Sequence, residues 1–194
     1  MNTPLIVGIG GTTSDRSSTE SALKIALKSA ASHGARVKVF GGRHLQQMPH
    51  FEPSVSDNNF AREFLDAVRE ADGIIIGTPC YHGSISGLLK NALDHLERTS
   101  KDERVYLDGL PVGLIATAFG WQAVGTTLLT LRSIVHSLRG WPTPYGAGIK
   151  VTPGLFAEDA CLDPDVQAQL NLVGSQVTDA AFRNINRMTL RAAT

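Results

Sequence analysis

Only two cysteines, Cys80 and Cys161, occur in 194 residues. So few thiols cannot staple a disulfide framework, and they fit a reduced intracellular protein. Charge of one sign is also missing, since eighteen Lys and Arg balance eighteen Asp and Glu. That balance gives no global field for nucleic acid or an anionic membrane, and no Lys/Arg run builds a local one. No apolar stretch approaches the ~20 residues a membrane-spanning helix needs. The run from Leu5 to Ile9 is too short for a signal-peptide core and has no basic residue before it. A cytoplasmic protein is expected. The six histidines lack His-x-x-x-His spacing and acidic partners at helical intervals, so no zinc or iron site is expected. No repeat or linker divides the chain. With 42% hydrophobic residues it suits one domain spanning residues 1–194, with a core that needs no metal or disulfide.

What is present is an alternation of strand and helix patterns. Leu5 to Ile9 reads as a buried strand, and Ser17 and Glu20 have capping-box spacing for a helix bearing Leu23, Ala26, Leu27 and Ala30 inward. His33-Gly34 is a stop, and Arg36 to Phe40 a second strand. Residues 41–56 lack periodicity and read as a long loop. Phe60, Phe64 and Val68 mark a second helix ending near Asp72, followed by the strand Gly73 to Gly77. A third helix over residues 88–97 should turn Leu89, Ala92, Leu93 and Leu96 inward and leave its polar residues, His95 included, at a rim or subunit contact. Residues 99–108 read as a charged surface connection and Pro111 to Ala116 as a fourth strand. Leu128, Leu131, Val135 and Leu138 stripe a fourth helix. A turn at Trp141 to Pro144 leads to a fifth strand from Tyr145 to Lys150, and Val166, Leu170, Val173 and Val177 line the last helix. Five strands alternating with five helices argue for an α/β fold with a parallel sheet covered on both faces.

Two loops carry the chemistry. The first, Gly10 to Arg16, puts small and hydroxyl residues before a helix whose free N–H groups attract anions. Thr12, Ser14, Ser17, Ser18 and Thr19 can each donate a hydroxyl to a phosphate. The same residues fit an ordinary serine-capped helix, and Glu20 in the first turn would repel a phosphate unless it folds back on the cap. The run is neither a Walker A loop nor Gly-x-Gly-x-x-Gly. The second loop, Thr78-Pro79-Cys80-Tyr81-His82-Gly83, lies where a parallel strand ends and open α/β sheets bind ligands. Pro79 stiffens that turn and Gly83 permits close approach. Tyr81 is an aromatic wall or a core or interface residue. A redox role for Cys80 and an acid–base role for His82 are the weaker readings. Gly83-Ser84-Ile85-Ser86-Gly87 is out of register for a nucleophile elbow, which disfavours a hydrolase.

The stretch from Thr78 to Asp94 resembles the Thr-Pro-x-Tyr-x-Gly-Ser-x-Ser-Gly-x-Leu-Lys-Asn-Ala-Leu-Asp run of the NAD(P)H-dependent FMN reductase family. The resemblance implies a flavodoxin-like three-layer sandwich, a five-stranded parallel sheet of order 2-1-3-4-5, with FMN as cofactor and NADPH or NADH as hydride donor. It implies an FMN phosphate at Gly11, Thr12, Ser17 and Thr19, with Ser14 standing where the family has arginine. Arg16, two residues later, is expected to take over that contact. It implies isoalloxazine contacts from the backbone of residues 78–83, and a third flavin loop at Thr117, Ala118, Phe119 and Gly120. Trp121 would cover the cofactor or anchor the following helix, with anchoring favoured. Hydride chemistry would belong to FMN, with no catalytic side chain. The substrates implied are small flavin, nicotinamide or quinone molecules, and a monooxygenase is an implied recipient of reduced flavin. A homodimer or homotetramer is implied, with the helix at residues 86–96 as its natural contact. A quinone or azo-dye reductase, or an electron carrier without a nicotinamide site, would use the same scaffold.

Overall fold

The computed structural model describes residues 3–14, 17–157 and 160–192. β1 (Leu5–Gly10), β2 (Arg36–Phe40), β3 (Gly73–Pro79), β4 (Pro111–Ala118) and β5 (Trp141–Lys150) form one parallel sheet of order β2-β1-β3-β4-β5. This is the order the resemblance implies. The central strands are buried throughout, as apolar runs covered on both faces must be. Alternation then sends neighbours to opposite layers. Ile74 and Ile76 join a core with Phe64, Leu89, Leu93 and Leu131, whereas Ile75 joins Leu23, Leu170 and Val173 on the other side.

Helices α1 (Ser18–Ser32) and α6 (Pro164–Ala192) cover one face. Helices α3 (Asn59–Glu70), α4 (Gly87–Asp94) and α5 (Trp121–Ser137) cover the other. Ser17, Asn58 and Ser86 cap α1, α3 and α4 by accepting the N–H of Glu20, Ala61 and Leu89. Pro164 opens α6 after Asp163, whose Oδ1 takes the N–H groups of Asp165 and Val166.

The structure departs from the expected elements in five places. The loop at residues 41–56 contains a one-turn helix, α2 (Gly42–Leu45), too short to show periodicity. Proline did not stop strand formation at Trp141–Pro144, because β5 is an edge strand and its register slips opposite Val112 and Leu114. The connection after α4 buries Leu107 completely, and Arg104 donates to the carbonyls of Val68, Arg69 and Ala71 at the end of α3. Two-residue strands β6 (Phe156–Ala157) and β7 (Ala160–Cys161) pair antiparallel within the last connection.

The fifth departure is His95, which begins a 3₁₀ turn (His95–Thr99) and is 1% exposed rather than at a rim. Its ring nitrogens lie 3.0 Å from Asp57 Oδ1 and 2.9 Å from the Pro49 carbonyl. Asn91 accepts the Phe51 N–H and donates to the Pro49 carbonyl, and Arg98 donates to the carbonyls of Glu52, Pro53 and Val55. The chain's own loop therefore engages Asn91, His95 and Arg98, which a helical wheel cannot show, while Lys90 and Asp94 pair at the surface.

The tightest join between α1 and α6 is at Gly174. A Cβ there would lie 2.2 Å from the Ala26 carbonyl oxygen and 2.8 Å from Ser29 Cβ. Gly174→Ala gains about 1 kcal/mol of helix propensity, but overpacking of this kind costs about 1–3 kcal/mol. Urea denaturation should show a net loss of stability. An unchanged or higher midpoint would mean the helices part freely.

Candidate functional site

The loops after β1, β3 and β4 converge at the carboxyl edge of the sheet, beside the point where order reverses between β1 and β3. The close join is Gly10. With φ +139°, a Cβ there would fall 1.8 Å from the Gly77 carbonyl oxygen. The next N–H, of Gly11, donates to that same carbonyl at 3.3 Å. Two glycines thus let the first loop leave flush against β3.

Beyond them Thr12 is half-buried and Ser14 exposed, and the Thr12 hydroxyl accepts the Ser14 N–H at 3.1 Å. Ser17 is buried and its hydroxyl accepts the Glu20 N–H, which is its role as cap. The N–H groups of Ser18 and Thr19 donate to no protein group among the described residues, and a helix start of this kind suits an anion. Glu20 completes no capping box. Its carboxylate lies beside Gly11 and Gly41 and pairs with Lys24 at 3.2 Å. Arg16, the residue expected to hold a phosphate, lies outside the described residues.

The second loop is a two-residue hairpin. Tyr81 and Ser84 exchange both backbone hydrogen bonds, at 2.9 and 3.0 Å. His82 and Gly83 between them have φ +51° and +83°, the paired positive values of a tight hairpin turn. A Cβ at Gly83 would meet nothing within 4 Å, so glycine is favoured there by backbone geometry and not by crowding within the chain. Tyr81, His82 and Gly83 are exposed, which removes Tyr81 from the core. The N–H groups of His82 and Gly83 also find no acceptor among the described residues.

Several candidate hydroxyls face inward instead. Thr78 is fully buried, and its hydroxyl donates to the Pro79 carbonyl and accepts the Ser86 N–H. The hydroxyls of Thr19 and Thr117 bond each other at 2.6 Å, both buried. The Thr117 carbonyl accepts the Cys80 N–H at 2.9 Å, and the Ala118 carbonyl accepts the Val151 N–H at 2.7 Å. These residues tie the three loops together. Gly120 sits at the N-cap of α5 and supplies no side-chain cap.

Two features of this edge lay beyond sequence reasoning, the exposure of Phe119 and Trp121 and a cleft beside Phe119. Phe119 is 83% exposed, and Trp121 is 63% exposed and so does not anchor α5. A cleft of about 640 Å³ opens between α1 and residues 151–156, with Phe119 on its border. Its walls come from segments far apart in sequence. The only available signal was a phenylalanine in a loop otherwise built of small residues.

A match to the family described as NADPH-dependent FMN reductase covers residues 4–149. The chain belongs to that family. An FMN-dependent NADPH-azoreductase of Staphylococcus haemolyticus is 43% identical over 83 residues, 43% of this chain and 40% of that protein. The corresponding protein of Staphylococcus saprophyticus is 44% identical over 91 residues, 47% and 45% of the two chains. The chain thus matches less than half the length of these curated relatives. Among solved structures, an apo NADH:FMN oxidoreductase is 26% identical with a TM-score of 0.70, over 91% of this chain and 89% of that one. An NAD(P)H:acceptor oxidoreductase of Paracoccus denitrificans has a TM-score of 0.74 at 17% identity, over 91% and 98%, a likeness of fold alone. The flavodoxin-like fold is thereby shown.

Burial pushes the Cys80 thiol above its ordinary value, and the neighbouring Thr127 hydroxyl opposes that only in part. The thiol is therefore protonated at neutral pH, and thiolate appears only as the pH rises through the elevated value. In a Cys161→Ala background, alkylation of Cys80 at pH 8 should be several-fold slower than in the urea-unfolded chain. Equal rates would point to an activated thiol.

Proposed function

We propose that this protein is an NAD(P)H-dependent FMN reductase, with the free N–H groups of two loops as the observation that carries the reading. Those of Ser18 and Thr19 suit a terminal phosphate, and those of His82 and Gly83 suit the carbonyl and nitrogen edge of a flat heterocycle. Bound FMN supplies the chemistry, accepting hydride from the reduced nicotinamide and handing electrons to an acceptor. The chain's own residues position and shelter. Gly10 and Gly11 bring the phosphate loop flush against β3. The paired backbone bonds of Tyr81 and Ser84 hold the hairpin donors in place. The Thr19–Thr117 hydrogen bond fixes the two ends of the site relative to each other. No side chain moves a proton in the hydride step.

The azoreductase names of the relatives support azo compounds as acceptors beside free flavin and quinones. Passage of reduced flavin to a monooxygenase belongs to the same reading. Two free cysteines suit work in the cytoplasm. The test is direct. FMN should bind at least ten-fold more tightly than riboflavin in calorimetric titration, a charge-assisted contact or two being worth about 1.5–3 kcal/mol each. NADPH or NADH should then bleach the bound flavin. Equal affinities would reduce the first loop to a helix cap, and failure of both nicotinamides would leave an electron carrier.

A homodimer is part of this proposal, through α5 rather than α4. The apolar positions Leu89, Ala92, Leu93 and Leu96 are buried within the subunit. Trp121 and Leu129 stand on one side of α5, 63% and 70% exposed. No Asp or Glu occurs from residue 109 to residue 157, so two such flanks meet without burying carboxylates. Light scattering should give a dimer for the native chain and a monomer for Leu129→Asp. A native monomer, or a variant that still dimerises, would refute this contact.

A further inference from the structure

We propose that the cleft between α1 and residues 151–156 receives the adenosine half of the dinucleotide hydride donor, with Lys24 binding a 2′-phosphate on its ribose. This rests on the reductase reading above. The cleft holds about 640 Å³, a size usual for small-molecule sites. Among its described lining residues Ser17, Ser18 and Phe119 belong to the loops expected to hold flavin, and none of residues 78–83 does. It therefore extends beyond the ring loop. It is nevertheless adjacent to that loop, because Phe119 on its border follows Thr117 by two residues and the Thr117 carbonyl holds the Cys80 N–H.

A nicotinamide dinucleotide has a second aromatic end that must lie somewhere near the first. Phe119 is 83% exposed and Phe156 half-buried, and both line the cleft, so both offer apolar surface to an adenine. The polar wall carries Ser21, Lys24 and the Glu20 carboxylate that pairs with the Lys24 ammonium at 3.2 Å. Lys24 is half exposed and its partner is Glu20, one turn earlier on the same helix. Such a surface pair is weak, and a doubly charged phosphate competes for the ammonium effectively.

The experiment titrates FMN-saturated protein with adenosine 2′,5′-bisphosphate and with AMP, for the native chain, Lys24→Ala and Lys24→Arg. The native chain should bind the bisphosphate about ten-fold or more tightly than AMP. Lys24→Ala should abolish that preference and Lys24→Arg keep it. The KM for NADPH should rise in Lys24→Ala while the KM for NADH and the FMN dissociation constant stay as in the native chain. Equal or undetectable binding of the two nucleotides by the native chain would overturn the assignment. So would a Lys24→Ala variant that weakens FMN instead, which would give the cleft to the flavin. The reductase reading fails by a different result, the inability of the native chain to oxidise either nicotinamide.

Discussion

The side-by-side pairing of β1 and β3 is the constraint on which the site depends. These strands are neighbours in the sheet, yet the chain leaves β1 for α1 on one face and β3 for α4 on the other. Their loops must therefore diverge, and divergence opens a crevice that parallel neighbours with connections on one face would close. The pairing ends with Gly10 against Gly77, where a single added Cβ would collide with the carbonyl oxygen. Without that contact the first loop would lift away from the second, and the two loops would no longer border one crevice.

The braces around the crevice are made of side chains, and its open face is made of backbone. Thr78, Ser86, Thr19 and Thr117 all have buried hydroxyls bonded inside the protein. The groups left over are N–H donors at a helix start and in a hairpin turn. Such a site tolerates variation in exposed side chains, because its donors are present whatever residue carries them. That suits a first loop in which Ser14 stands where the resemblance implies arginine. It also suits the proposed function, in which the chemistry would reside in FMN.

The burial of His95 shows a second kind of constraint. Residues 46–57 have little periodicity, yet three side chains from α4 and the turn after it hold them against the helix. A long loop can be ordered by hydrogen bonds to its own carbonyls even when it buries few apolar groups.

The sequence by itself determined the five strands, the main helices and the two glycine- and serine-rich loops, because strand and helix periods and capping residues act over a few neighbours. The dense run from Thr78 to Asp94 carried the family as well. Only the tertiary structure decided which hydroxyls brace loops and which donors face outward, since Thr19 and Thr117 are 98 positions apart. It also decided that β5 begins at Trp141 despite two prolines, because an edge strand needs fewer of its N–H groups paired. The exposure of Phe119 and Trp121 and the cleft beside α1 were equally beyond local pattern. They depend on how far apart separate segments come to rest, and no spacing along a chain encodes that distance.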